Sequence, residues 1–191
     1  MASQRASCLH YARAMLRGLV CLLGAGLLSA CASLPAPAPA WQRWSERQGG
    51  LETGRAAQTA DAAFDRLGAA CRCPEIRVRV LDNDRAEAFA WRDGTVFVTR
   101  GLVARLLPEE LAAAIAHEIA HVTARVDRER DADRIGAALL GASGVPAERM
   151  AEMLAKLAPD ARIAARIAAL RASGDPDELP AHAHDVVALL D

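Results

Sequence analysis

The sequence predicts an α+β domain, mainly helical, with a small three-stranded antiparallel sheet packed beside a helix that carries His-Glu-x-x-His. Three observations carry that expectation. In "IRVRVLD" the apolar Ile76, Val78 and Val80 alternate with Arg77 and Arg79, the period of a half-buried strand, and two more strand signals follow before residue 100. After Gly101 the apolar spacing changes from two to about 3.6 residues. Within the helical half lies "AAAIAHEIAHV" at 112–122, with histidines four apart and a glutamate directly after the first.

The N-terminus reads differently from the rest. The first acidic residue is Glu46, and the only early charges are Arg5, Arg13 and Arg17. Gly18–Ala30 is an apolar run of 13 residues, shorter than the roughly 18 needed to span a bilayer. Residues 1–30 are therefore expected to be a secretory signal peptide. Leu28-Ser29-Ala30-Cys31 resembles the lipobox cut by bacterial lipoprotein signal peptidase, which would leave Cys31 as a lipidated N-terminus; an ordinary cleavage site before a cysteine is the alternative. Residues 31–50, with the Pro/Ala run "ASLPAPAPA", are expected to form the lipid anchor and an extended tether. Residues 51–174 form the domain, and 175–191 a polar tail. Without Arg5, Arg13 and Arg17, 20 basic residues face 24 acidic ones, a formal charge of −4 that gives no reason to expect a nucleic-acid partner. Cys71 and Cys73 could pair with each other, pair with another chain or stay reduced.

Within the domain, Leu51–Ala70 is alanine-rich around Phe64 and Leu67 and is expected to be a helix. The strand at 76–80 is followed by turn chemistry at Asp82-Asn83-Asp84, and then by a second strand in "AEAFAW" at 86–91. A tight "RDG" turn at 92–94 leads to a third strand, "TVFVTR", at 95–100. Pro108, Glu109 and Glu110 suit a helix start, because proline needs no donor there and the acids face the positive end. Leu111, Ile115, Ile119, Val122 and Val126 continue it as one stripe. Further helices are expected from about Asp127 to Leu140, from Pro146 with Met150, Met153, Leu154 and Leu157, and from Pro159 with Ile163, Ile167 and Leu170.

At about 100° per residue, His117 and His121 lie about 40° apart and about 140° from that stripe. They are expected to point away from the core, over alanines at 113, 114, 120 and 124 that leave room for an ion and a substrate. Imidazoles at i and i+4 can share one tetrahedral Zn²⁺, and the intervening Glu118 can act as general base and acid.

The stretch 88–125, "AFAWRDGTVFVTRGLVARLLPEELAAAIAHEIAHVTAR", resembles the membrane-associated zinc peptidases that include the HtpX heat-shock protease, the CAAX prenyl endopeptidase and short periplasmic lipoproteins. "ERDADRIGAALL" at 129–140 is similar to that family's Glu-x-x-Ala-Asp-Arg-x-Gly helix. The resemblance implies a zincin-like (gluzincin) fold. It implies His117, His121 and Glu129 as zinc ligands, Glu118 as the catalytic residue, Asp133 as the partner that orients a ligating imidazole, and Arg134 as a matching position. It also implies that Val96, Phe97 and Val98 form the edge onto which a substrate strand adds.

Only the seven residues "VTARVDR" separate His121 from Glu129, where the family has several dozen. In one continuous helix Glu129 would lie about 12 Å beyond His121. A reversal near Arg125, with Asp127 capping the next helix, would bring it back. Glu87 stands where the family often has asparagine, and the family's His-Pro before an Arg-Ile-x-x-Leu helix is missing from "LAPDARIAARIAALRA". A transition-state donor would have to come from His182, His184 or an arginine such as Arg125.

The resulting expectation is a zinc-dependent endopeptidase, lipid-anchored through Cys31 to the periplasmic face of the bacterial outer membrane, that hydrolyses unfolded or misassembled envelope proteins in quality control. A catalytically reduced relative that binds envelope proteins is the second reading, and a structural lipoprotein with an accidental motif the third.

Overall fold

The computed structural model describes residues 39–68, 70, 71, 73, 75–157 and 160–172. The expected signal peptide, Cys31, His182, His184 and the tail lie outside the described residues. Among the described residues, seven helices and four strands follow in the order α1 (Ala40–Arg47), β1 (Leu51–Glu52), α2 (Arg55–Gly68), β2 (Arg77–Leu81), β3 (Ala88–Ala90), β4 (Thr95–Thr99), α3 (Arg100–Arg105), α4 (Pro108–Thr123), α5 (Glu129–Ala142), α6 (Arg149–Leu157) and α7 (Ala161–Ala172). Among them no helix is long and apolar enough to cross a membrane.

The sheet has four strands in the order β1-β2-β4-β3 and is mixed, where three antiparallel strands were expected. The RDG turn does join β3 and β4 as an antiparallel hairpin, with Phe89 opposite Phe97. Gly94 supplies the φ of +88° that this turn needs. β2, however, pairs parallel to β4, with Val78 beside Val96 and Val80 beside Val98. The chain makes this possible by carrying residues 82–87 past the end of β4 to its far side. The Thr99 hydroxyl holds that loop, accepting from Glu87 N and donating to the Arg85 carbonyl. The same hydroxyl accepts from Leu102 N and so caps α3.

β1 is also unexpected, because Leu51–Glu52 reads as the start of a helix. Leu51 instead pairs with Leu81, and the Glu52 carboxylate accepts from Gly54 N and Ala57 N, starting α2 three residues later. Residues 40–47, expected in the tether, form α1, whose Trp41 and Trp44 pack on Phe97. Trp44 also meets Phe89 and Trp91 edge-on. That aromatic layer covers one face of the sheet.

Strand alternation sends Val80, Val96 and Val98 to the other face, into one cluster with Ala60, Ala63 and Leu67 of α2 and Leu111, Ile115 and Ile119 of α4. β4 is thus paired on both sides and buried along its whole length. Val96, Phe97 and Val98 are core residues, not the edge expected to receive a substrate strand. The free edge on the α4 side is β3.

Pro108 is the first residue of α4, and Glu110 turns back so that its carboxylate accepts from Leu107 N at 2.7 Å. Lys156 Nζ of α6 donates to the same carboxylate at 2.6 Å, which pins α6 beside the start of α4. Cys71 and Cys73 are disulfide-bonded and lie against Ile119 and Thr123 of α4 and Ile135 of α5.

Candidate metal centre

α4 ends at Thr123, with Ala124 as its C-cap. Arg125 follows with φ +52°, the only non-glycine among the described residues in the left-handed region. A side chain there costs about 1 kcal/mol or more relative to glycine, and because an arginine makes the turn, no Gly or Pro signal announced it. The reversal stands where the ligand geometry requires it, four residues after His121 and four before Glu129. Asp127 does not cap α5: the N-cap position is Arg128, with no side-chain bond.

The return of the chain orients the first histidine pair. His121 Nδ1 lies 2.7 Å from the Val126 carbonyl. A carbonyl can only accept, so Nδ1 carries the proton and the Nε2 lone pair is left for a ligand. His117 Nδ1 lies 2.9 Å from Asp133 Oδ1, close enough for a charge-assisted contact though not aligned as a hydrogen bond. This too turns Nε2 inward.

The two Nε2 atoms are 3.2 Å apart. Glu129 Oε2 lies 3.4 Å from His117 Nε2, and Oε1 lies 3.7 Å from His121 Nε2. Tetrahedral zinc with bonds of about 2.0–2.2 Å places its ligand atoms about 3.3–3.5 Å apart. The two nitrogens and the Glu129 carboxylate, which turns one oxygen toward each imidazole, are therefore spaced on the scale of that ion's ligand shell, and these three residues form the one candidate metal group among the described residues.

The histidine face is not open in the way the helical wheel suggested. His117 is 7% exposed, and Ala113, Ala114 and Ala120 are buried. The alanines do not leave room for a substrate. They let α5 approach α4, with Ala120 and Ala124 packed against Ala132 and Ile135. Gly136 completes the approach: a Cβ there would stand 3.1 Å from His117 N and 3.2 Å from Ala116 C. The family-like Gly of "ERDADRIG" is thus the point where two backbones pass, one turn below Asp133.

Arg166, on α7, is the residue that sequence reasoning missed. Its guanidinium grips Asp133 through Nε–Oδ2 at 2.7 Å and Nη2–Oδ1 at 2.6 Å, and reaches Glu129 Oε2 through Nη1 at 2.9 Å. One planar group so fixes both carboxylates. The signal was present in the sequence, because Arg166 alone heads an Arg-Ile-x-x-Leu run on this helix. Arg125, named as a possible donor, is spent on the turn and exposed.

The charges respond accordingly. Burial lowers the His117 pKa, but the Asp133 and Glu129 carboxylates beside the ring outweigh it and push it up to about 9. The hydrogen bond from His117 prevails over burial and brings Glu129 down to about 2. Burial would raise Asp133, yet the hydrogen bonds from Arg166 and the His117 imidazole beside it hold it below the ordinary aspartate range. For Glu118 burial wins: its carboxyl lies above the ordinary glutamate range despite the pull of His117 and His121. A carboxylate raised in this way is a better proton acceptor.

The family model described as Peptidase family M48 matches residues 52–127. That range holds the sheet and the His-Glu-x-x-His helix and supports a metallopeptidase. It stops two residues before Glu129, so Glu129, Asp133 and Arg166 are placed at the site by geometry alone. No curated protein matches the chain.

Proposed function

We propose that the chain belongs to Peptidase family M48, in the HtpX and CAAX endopeptidase branch, and is a zinc-dependent endopeptidase tethered to a membrane through Cys31. The observation that carries this reading is the triangle of His117 Nε2, His121 Nε2 and the Glu129 carboxylate, with sides of 3.2 to 3.7 Å. Glu118 lies beside it on the same helix.

A zinc ion held by these three residues supplies Lewis acidity toward a peptide carbonyl and makes water easier to deprotonate. Glu118 accepts the proton of the attacking water and returns it to the leaving amine nitrogen. Asp133 and the Val126 carbonyl hold the two imidazoles in the tautomer that presents Nε2. Arg166 keeps both acids in place and adds positive charge beside the reacting carbonyl.

The substrate strand adds to β3. Trp91 N donates to the Thr95 carbonyl and Thr99 N to the Glu87 carbonyl, so residues 87 and 91 face β4. Ala88 and Ala90 consequently turn their backbone groups to the free edge. An extended peptide pairs with these, in the register that brings its scissile bond to Glu118.

The localisation follows from the lipobox-like Cys31 and the Ala32 after it, and places the enzyme on the periplasmic face of the outer membrane. Unfolded or misassembled envelope proteins are the substrates, since edge pairing reads backbone and needs an extended chain. A non-catalytic relative that binds such proteins is the alternative, motivated by the short connection between His121 and Glu129.

A chain beginning at residue 32, loaded with zinc, is predicted to cleave an unfolded protein, to stop on chelation, and to lose at least 10²-fold in rate as E118Q. Cleavage that survives E118Q or the chelator refutes the proposal. Zinc binding with no cleavage leaves the binding protein.

A further inference from the structure

Behind Glu129 and Arg166, between the start of α5 and the flank of α7, lies a cleft of about 740 Å³. Among the described residues five arginines line it, Arg128, Arg130, Arg134, Arg162 and Arg166, and the only acids are Glu129 and Asp131. Arg166 is occupied by Asp133 and Glu129. Arg128, Arg130 and Arg162 are exposed and make no ion pair with any described residue. Three like charges gathered around one concavity repel each other, and an anionic occupant removes that cost.

We propose that this cleft is a docking site for an acidic peptide, and that its occupant is the chain's own C-terminal segment. Residues 173–191 contain Asp175, Asp177, Glu178, Asp185 and Asp191 and no Lys or Arg. Three of those acids fall within the four residues Asp175-Pro176-Asp177-Glu178. The segment leaves α7 at Ala172, and α7 itself supplies Arg162 and Arg166 to the cleft. Arg166 is six residues before the helix end, about 9 Å along the axis. At up to about 3.5 Å per residue, Glu178 reaches about 20 Å back from Ala172, enough to meet the cleft.

The inference does not depend on peptidase activity, because its test is binding. The probe is a fluorescent peptide of residues 173–181, which has no histidine to contact a metal. It is titrated against the detergent-solubilised full chain and against a variant with Asp175→Asn, Asp177→Asn and Glu178→Gln. A tethered segment acts at an effective concentration of about 1 mM, so for an intrinsic dissociation constant of about 0.1 mM the variant binds the probe about tenfold more tightly than the unmodified chain. Adding Arg128→Gln, Arg130→Gln and Arg162→Gln abolishes that binding, while Arg43→Gln, Arg47→Gln and Arg105→Gln, an equal charge loss on α1 and α3, leave it intact. Equal probe affinity with and without the acidic tail overturns the occupant, even if acidic peptides bind. No binding, or binding insensitive to the cleft arginines, overturns the site.

Discussion

Replacing Gly136 by alanine sets two effects of opposite sign against each other. On helix propensity alone the change stabilises α5 by about 1 kcal/mol. The structure predicts the reverse. The new Cβ would lie 2.6 Å from Met150 Cε, 3.1 Å from His117 N and 3.2 Å from Ala116 C. Carbon atoms sit comfortably at about 3.5–4.0 Å. The methionine end can rotate, but the α4 backbone is buried on every side and cannot yield, so α5 must retreat by about half an ångström. Such overpacking costs about 1–3 kcal/mol. The net effect is a loss of up to about 2 kcal/mol, a melting temperature several degrees lower for a domain of this size. The same retreat pulls Asp133 and Glu129 away from His117. Disturbing partners of this kind costs about 10–100-fold in metal affinity. Thermal melting of the metal-free chain and competition for zinc with a chelating dye measure the two together. A G136A chain that melts higher and binds zinc unchanged would refute the close-approach argument.

Arg166→Gln leaves Asp133, 1% exposed, without its bidentate partner. Breaking a buried pair costs about 3–5 kcal/mol, and the partial exposure of Arg166 puts this case near the low end; Arg166→Lys should recover only part, which chemical denaturation of the three chains resolves. Zinc binding should release a proton at pH 7, because His117 is held protonated with a pKa of about 9 in the metal-free chain and must be neutral to ligate. Affinity therefore rises about tenfold per pH unit up to about pH 9 and then levels, and a flat profile between pH 7 and 9 would count against it. Ala90→Pro removes an outward N–H from β3 without touching its pairing to β4. It should lower kcat/KM by about two- to tenfold through one lost hydrogen bond while zinc affinity stays unchanged. Lost zinc would mean the sheet, and not the substrate contact, had been disturbed.

How much of this was legible in the sequence depends on the range of the interactions involved. The β3–β4 hairpin, the Pro108 start of α4 and the apolar stripe beneath it are local patterns, and each appeared near its expected position. The parallel pairing of β2 with β4 is not local, since it rests on how Thr99 ties down the 82–87 loop. α1 was hidden because its amphipathic character comes from two tryptophans in a stretch that reads as an extension of the Pro/Ala tether. At the site, His117, Glu118 and His121 could be read from one turn of helix, while Glu129 required a reversal that a strained arginine makes. Arg166 belongs to a helix whose sequence is a near-repeat of Ala, Arg and Ile, where Leu170 is the one local mark that separates it from Arg162; its grip on Asp133 and Glu129 comes from tertiary packing.

The most direct test of the metal centre is a zinc titration of the unmodified chain beside E118Q and E129A. If Glu129 ligates and Glu118 only moves protons, the unmodified chain and E118Q each bind one zinc ion with similar affinity, and E129A binds at least 10²-fold more weakly. Equal affinity in E129A, or a collapse in E118Q, would contradict the account.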